Sequence, residues 1–483
     1  MRITLAASEG VPFSKTGGLA DVVGALPHAL AEMGHEVTVF LPRYKVTQLD
    51  SPTVAIPNLT IPFNDHLRFC QILDAGKRSG VQFYFVDHPD FSYRDYLYTT
   101  PTGDYPDNAE RFMMFCRAVL ESSKRLGVPD LFHAHDWQAA MIPVLLRTQY
   151  SFDSTFDHVA CVFTVHNLGY QGIFPAHTMP RLVLGWDLFT VDRLEFYNQV
   201  NFMKGGLVYA DWITTVSRMY AQEIQTPEYG FGLDSVARRR AANLTGILNG
   251  VNYQEWNPMG DPWIATHYTA KDLKGKRECK LDLIREFGLN EQHADWPLIG
   301  IVSRMAVQKG FDLIADVTGN LLKQNALMVV LGTGDPEYEA LFRDFHAACP
   351  DRLGLKIAYS NPLAHKIEAG ADIFLMPSHY EPCGLNQIYS LKYGTVPVVR
   401  ATGGLDDTIE QWNPKTGKGT GFKFERYSSL ELWTSLQQAL EAYKDQTSWL
   451  KLMKNGMSKD FSWERESKEY VKVYEKAVKL RKR

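Results

Sequence analysis

Cysteine is scarce in this chain. Its six cysteines, Cys70, Cys116, Cys161, Cys279, Cys349 and Cys383, are scattered through 483 residues with no C-x-x-C spacing. Such isolated thiols argue against a disulfide framework or a cysteine zinc site and fit a reducing compartment. Long apolar runs are missing too: none approaches the roughly 18 residues that a membrane helix needs. The opening Met-Arg-Ile-Thr-Leu-Ala-Ala-Ser-Glu has too short an apolar core for a signal peptide. A cytoplasmic protein with no membrane partner is therefore expected. Charge of one sign is not in excess. The net charge of −4 leaves no basic field, so no nucleic acid partner is expected. No Gly-x-Gly-x-x-Gly follows the first strand, so a dinucleotide is not indicated.

What is present is ordinary globular composition in a chain too long for one core. Apolar strands are expected at residues 2–7, 35–41, 81–86, 130–133, 159–165 and 212–216, with helical patterns between several of them. A second series is expected at 297–304, 326–331, 355–359, 371–376 and 396–400. Repeated strand–helix alternation implies parallel sheets covered on both faces. The fold class is thus α/β, with two Rossmann-like doubly wound domains facing across a cleft. The Pro/Gly-rich stretch at Trp256-Asn-Pro-Met-Gly-Asp-Pro sets a boundary, giving domains 1–250 and 251–462. Residues 42–110 read as loop-rich, with Tyr93, Tyr96, Tyr98 and Tyr105 either packing the loops or stacking on sugar faces.

Glu381 is the residue around which the site reading turns. The strand over 371–376 is stopped by Pro377, and a helix begins near Gly384–Leu385. The acid hangs off the C-terminal end of a parallel strand, just before a helix N-terminus, where open α/β sheets bind ligands and free N–H groups attract phosphate. A carboxylate beside an anion site is expected to serve something other than stability, such as sugar hydroxyls. Arg304 and Lys309 lie between a strand and the helix at Phe311, where two cations suit a diphosphate. Lys15, Gly17 and Gly18 occupy the loop after the first strand, the phosphate position of a Rossmann unit. His133-Ala-His-Asp puts two histidines on one strand face. No third ligand follows at metal-like spacing, so a metal is the weaker reading there. His166 stands at the tip of an apolar strand in Thr164-Val-His-Asn, where ligand contact is favoured over a core role.

Taken together, Lys15-Thr-Gly-Gly-Leu-Ala-Asp, Ser303-Arg-Met-Ala-Val-Gln-Lys-Gly, Pro377-Ser-His-Tyr-Glu-Pro-Cys-Gly-Leu and the Ile-Leu-Asn-Gly-Val around Asn249 resemble the bacterial glycogen synthase and plant starch synthase family of retaining glycosyltransferases. The resemblance spans nearly the whole chain, with the motifs in family order. It implies a GT-B fold, with an acceptor-side domain at 1–250, a donor-side domain at 251–462, and the terminal helix at about 463–483 packed back on the first. It implies transfer of glucose from ADP-glucose, or from UDP-glucose, to the non-reducing end of an α-1,4-glucan with retention of configuration. It implies no cofactor and no metal; the partners are glycogen or another glucan and the nucleotide sugar. By the same resemblance Glu381 contacts the donor glucose, His166 its 6-hydroxyl, and Asp136 lies nearby. Lys15, Gly17, Gly18, Arg304 and Lys309 face the diphosphate. Asn249, Gly332, Tyr359, Cys383, Gly384 and Leu385 line the donor site, with Tyr359 set to stack on the base. Cys383 itself reads as a packing residue rather than a nucleophile. Alternatives are another retaining GT-B transferase with a different donor or acceptor, and an inactive glucan-binding relative. A glucan phosphorylase would need a pyridoxal-phosphate lysine and a longer chain.

Overall fold

A computed structural model describes residues 1–63 and 66–482. By internal contacts the chain divides into two units. One comprises Met1–Val216, Ala221–Gly250 and the residues from Trp463 onward; the other comprises Ser217–Tyr220 and Val251–Ser462.

The first unit is built on a nine-stranded sheet. From one edge its strands run Leu244–Gly246, Trp212–Thr215, Ala160–Val165, Leu131–His135, Arg2–Ala6, Glu36–Pro42 and Val81–Asp87, all parallel. In the central strands Arg2–Ala6, Leu131–His135 and Ala160–Val165 almost every residue is buried, as continuous apolar runs in a two-sided parallel sheet require. The other edge carries an antiparallel pair, His66–Arg78 and Thr53–Phe63. This pair corrects the loop-rich expectation for residues 42–110. Thr53–Phe63 contains Pro57 and Pro62, which sequence reading takes as loop signals. At the outermost position of a sheet, however, a proline need give no hydrogen bond to a further strand.

One face of this sheet is covered by helix Gly18–Glu32 and by the last helix, Trp463–Arg481. Leu19, Val22, Leu26 and Leu30 of the first join Trp463, Tyr470, Val473, Tyr474 and Ala477 of the second in one core. Residues three, four and seven positions apart along the final helix thus reach the same apolar layer, while its charged positions, the buried Glu466 apart, are exposed or half-buried.

The second unit holds a six-stranded parallel sheet, in the order Leu353–Ile357, Leu327–Gly332, Leu298–Val302, Ile373–Met376, Val396–Arg400, Phe422–Phe424. Separate apolar layers fill its two faces. Strand order reverses between Leu298–Val302 and Ile373–Met376 here, and between Arg2–Ala6 and Leu131–His135 in the first unit. Each reversal is a topological switch point, which leaves a crevice at the carboxyl ends of two neighbouring strands.

Candidate functional site

In the second unit the switch point brings Lys309 and Glu381 together. Lys309 follows strand Leu298–Val302 in a short turn that ends on Gly310, and Glu381 follows strand Ile373–Met376. Lys309 Nζ lies 2.6 Å from Glu381 Oε2, which also accepts from the Ser378 hydroxyl at 3.1 Å. Glu381 is buried and Lys309 partly so. Glu381 thus has an ion-pair partner, Lys309, within its own unit. Arg304 is exposed and donates to Gln308 Oε1 at 2.9 Å. Tyr359, just beyond strand Leu353–Ile357, is 82% exposed, so its ring face is open to a stacking partner.

Helix Asn386–Tyr393 begins directly after Cys383-Gly384-Leu385. Asn386 Nδ2 donates to the Val302 carbonyl at 2.8 Å, tying the start of this helix to the end of the neighbouring strand. Gln387 Nε2 donates to the carbonyls of Cys383 and Gly384 at 3.1 and 3.0 Å. The motif loop is therefore braced by side chains from the helix it leads into. Cys383 is buried within it.

The glycines divide into two kinds. A Cβ on Gly332 would lie 1.9 Å from the Ser303 carbonyl oxygen, and one on Gly404 2.0 Å from that of Cys383. The turns at 332–334 and 402–404 thus need glycine because loops of the site pack backbone to backbone. Gly17 and Gly18 behave otherwise: a Cβ there meets nothing within 4 Å. Gly17 has an extended backbone that any residue adopts. Nothing among the described residues demands glycine at this loop, and the space is available to a bound group.

In the first unit Lys15 is exposed and pairs with Asp21 at 2.7 Å. Thr16 donates through both its backbone N–H and its hydroxyl to Glu9. Glu9 escaped the sequence reading, and its place straight after the first strand was the available signal. Burial pushes its carboxyl up to about 7, partly offset by the Thr16 hydrogen bonds. Asp136, across the switch point, is likewise raised to about 7 by burial, although the His166 and Asn167 backbone N–H groups work against the rise. Its Oδ1 accepts from the His166 N–H at 2.7 Å. Asp136 also has φ +55°, in the left-handed region that non-glycine residues avoid, at the junction of strand Leu131–His135 and helix Asp136–Ala139.

His166 is buried, and its Nε2 lies 3.0 Å from Nδ1 of His135, another residue the sequence reading passed over as a site member. Burial drives the His166 imidazole down to about 3, so it is neutral near pH 7. Asn249 follows strand Leu244–Gly246 and is 95% buried, its exposure being 5%. Its side-chain oxygen has no hydrogen-bond partner among the described residues, leaving an acceptor for a ligand. Among the described residues no group of three or more His, Cys, Asp or Glu is arranged to hold a metal ion, and no helix is long and apolar enough to cross a membrane. His133 and His135 do share a face, with ring centroids 4.0 Å apart, but they bond to other side chains.

Comparison with known proteins adds to this geometry. A family model described as the starch synthase catalytic domain matches residues 2–239, and one described as glycosyl transferases group 1 matches residues 287–455. The chain is 60% identical over 481 residues to a glycogen synthase of Koribacter versatilis (strain Ellin345), covering 100% of this chain and 99% of that protein. It is 46% identical over 490 residues to glycogen synthase 1 of Geobacter metallireducens, covering 100% and 97%. Among solved structures, the catalytic domain of starch synthase IV from Arabidopsis thaliana, bound to ADP and acarbose, superimposes with a TM-score of 0.90 at 33% identity over 99% of each chain. A sucrose-phosphate synthase from Thermosynechococcus elongatus shares the fold at a TM-score of 0.60 and 18% identity, over 99% of each chain.

Proposed function

Because the chain belongs to the glycogen and starch synthase family, and is a glycosyltransferase of the GT-B fold, we propose that it transfers glucose from ADP-glucose to the non-reducing end of an α-1,4-glucan with retention of configuration. The observation that carries this reading is the Lys309–Glu381 pair at a switch point, 2.6 Å apart, with a helix N-terminus directly behind it. An ammonium there suits a diphosphate, and a carboxylate suits sugar hydroxyls. The ADP bound to the starch synthase IV domain favours adenine as the donor base.

In this mechanism the bond between the anomeric carbon and the diphosphate oxygen breaks, and its electron pair leaves with the nucleoside diphosphate. Arg304, Lys309, Lys15 and the helix N-termini at Gly18 and Phe311 stabilise the growing negative charge. Glu381 and neighbouring backbone carbonyls stabilise the cationic anomeric carbon. Asn249 and His166 hold sugar hydroxyls, and the space at Gly17 and Gly18 admits the donor. Protein cations balance the leaving group, so no cofactor or metal ion is required. A transferase using UDP-glucose is the second reading, since Tyr359 would stack on either base. Radiolabelled glucose incorporation into glycogen from each donor tests the proposal. ADP-glucose should give the higher kcat/KM, and equal or greater incorporation from UDP-glucose would overturn the donor assignment. Activity surviving excess EDTA is expected; activity that disappears and returns with magnesium or zinc would count against the metal-free mechanism.

A further inference from the structure

Three imidazoles stand together where strands Leu131–His135 and Ala160–Val165 end, and the protons on them are determined by their partners. The strands are in parallel register, with His135 opposite Thr164. His133 Nε2 lies 2.6 Å from Thr164 Oγ1, and His133 Nδ1 lies 2.8 Å from the hydroxyl of Tyr474 on the last helix. His135 Nδ1 faces His166 Nε2 at 3.0 Å. Burial lowers the pKa of all three, to about 3 for His133 and His166 and further below the ordinary value for His135. Each ring is therefore neutral near pH 7, with one N–H donor and one acceptor nitrogen.

We propose that His135 is a positioning residue that holds His166 in the tautomer protonated at Nδ1, so that His166 meets its ligand as a hydrogen-bond donor. One proton serves the contact between His135 Nδ1 and His166 Nε2. Were it on His166, His135 would carry its own proton on Nε2. That nitrogen is buried and has no partner, and an orphaned buried N–H is costlier than an orphaned lone pair. Placing the proton on His135 Nδ1 leaves only a lone pair at the orphaned position. His166 then accepts at Nε2 and carries its proton on Nδ1, for which no partner is found among the described residues. The His166 backbone N–H is held by Asp136, which fixes the ring's root as His135 fixes its tip. His133 is not available to take over the role of His135, because Tyr474 and Thr164 occupy both its nitrogens. A donor-only nitrogen selects an oxygen that accepts. The nature of that oxygen, a hydroxyl at C6 of the donor sugar, rests on the function proposed above; the tautomer does not.

Two measurements on the full-length protein separate these statements. The first is 15N NMR of the ligand-free protein labelled at histidine. His166 should show a protonated Nδ1 and a bare Nε2, and the His135→Leu variant should revert toward the Nε2-protonated form that free imidazole side chains favour. The second compares kcat/KM for the natural donor and for its 6-deoxyglucosyl analogue on the same nucleotide. Wild type should prefer the natural donor roughly tenfold or more, the loss expected when a buried donor is left unpaired. His135→Leu should lose most of that preference by lowering the rate with the natural donor alone. His135→Asn, whose amide nitrogen stands near the place of Nδ1, should keep it. A wild-type His166 protonated at Nε2 overturns the proposal, as does a His135→Leu variant that slows both donors alike. A His166 protonated at Nδ1 in a wild type blind to the 6-hydroxyl upholds the positioning role and overturns the hydroxyl assignment. Should His135→Leu fail to fold, the wild-type tautomer and the His135→Asn kinetics decide.

Discussion

Glu381 and Lys309 neutralise each other at 2.6 Å, so neither can be changed without altering the other's charge environment. Lys309→Ala removes a partner of the leaving diphosphate. Turnover should fall by about 10²–10³, the usual loss of one charge-stabilising group, and ADP should bind more weakly. Glu381→Gln keeps the shape and can still accept from Ser378, but it releases Lys309 from its counter-charge. Turnover should again drop sharply, while ADP binding holds or tightens because a freed ammonium meets the phosphates. Calorimetry with ADP on both variants, beside their rates, checks the division. ADP binding weakened as much by Glu381→Gln as by Lys309→Ala would end it. At this scale the sequence was informative about residue types at strand ends: Glu381, Lys309, Asp136 and His166 all sit where parallel strands finish. It was silent about partners. The contacts Lys309–Glu381 and His135–His166 join different loops or strands, and Thr16–Glu9 closes a single loop on itself; no local periodicity records such pairings.

Among elements, the glycine loops offer the sharpest contrast. Gly17 and Gly404 both stand at the entrance to a helix in a Gly-Gly pair, and in sequence they look alike. A methyl group at Gly17 enters open space, whereas one at Gly404 collides with the Cys383 carbonyl at 2.0 Å. Gly17→Ala should therefore leave unfolding stability within about 0.5 kcal/mol of wild type while raising KM for the donor, because the methyl occupies ligand space. Gly404→Ala should lose about 1–3 kcal/mol or more through overpacking and shift the loop that carries Glu381. Urea unfolding beside donor KM measures both; a Gly17→Ala protein with unchanged KM would remove that loop from the donor site. The strands themselves were readable from apolar runs, because in a two-sided parallel sheet every residue is buried. The outer pair Thr53–Phe63 and His66–Arg78 was not. Its pattern of buried Ile56, Leu59, Ile61 and Phe63 is broken by two prolines and by register shifts, which blur the period-two signal. The last helix was visible as an amphipathic run, but the hydrogen bond from Tyr474 to His133 spans 341 residues. Tyr474→Phe should cost about 1–3 kcal/mol, since the buried His133 Nδ1 loses its hydrogen-bond partner, with the Tyr474→Phe midpoint in urea as the readout.

Across the whole molecule, the buried titratable groups give the two units opposite responses to acid. In the first unit His133, His135 and His166 have pKa values well below the ordinary 6.5. As pH falls below 6.5 the unfolded chain takes up three protons that the native unit refuses, and stability is lost. Glu9 and Asp136 act the other way. Their folded values near 7 mean that the native unit already holds two protons which the unfolded chain lacks until the ordinary carboxylate range. His35 and His88 of the same unit are also lowered by burial, so the balance between pH 6.5 and 5 runs against the native first unit. In the second unit the buried Glu368 is raised well above the ordinary value by desolvation. Because the native unit holds that proton at a pH where the unfolded chain has lost it, the second unit gains stability as pH falls. Acidification from pH 6.5 to 5 should therefore destabilise the first unit relative to the second. Hydrogen exchange, corrected for the intrinsic pH dependence, reads this as opening free energies of strands Leu131–His135 and Ala160–Val165 against strand Leu327–Gly332. Opening energies that move in parallel would refute the proton count. Asp136→Asn supplies the internal control. The variant keeps an oxygen to accept from the His166 N–H but has no proton to exchange, so its first unit should gain on wild type as pH rises from 5 to 8. A difference that stays constant over that range would show that burial does not raise Asp136.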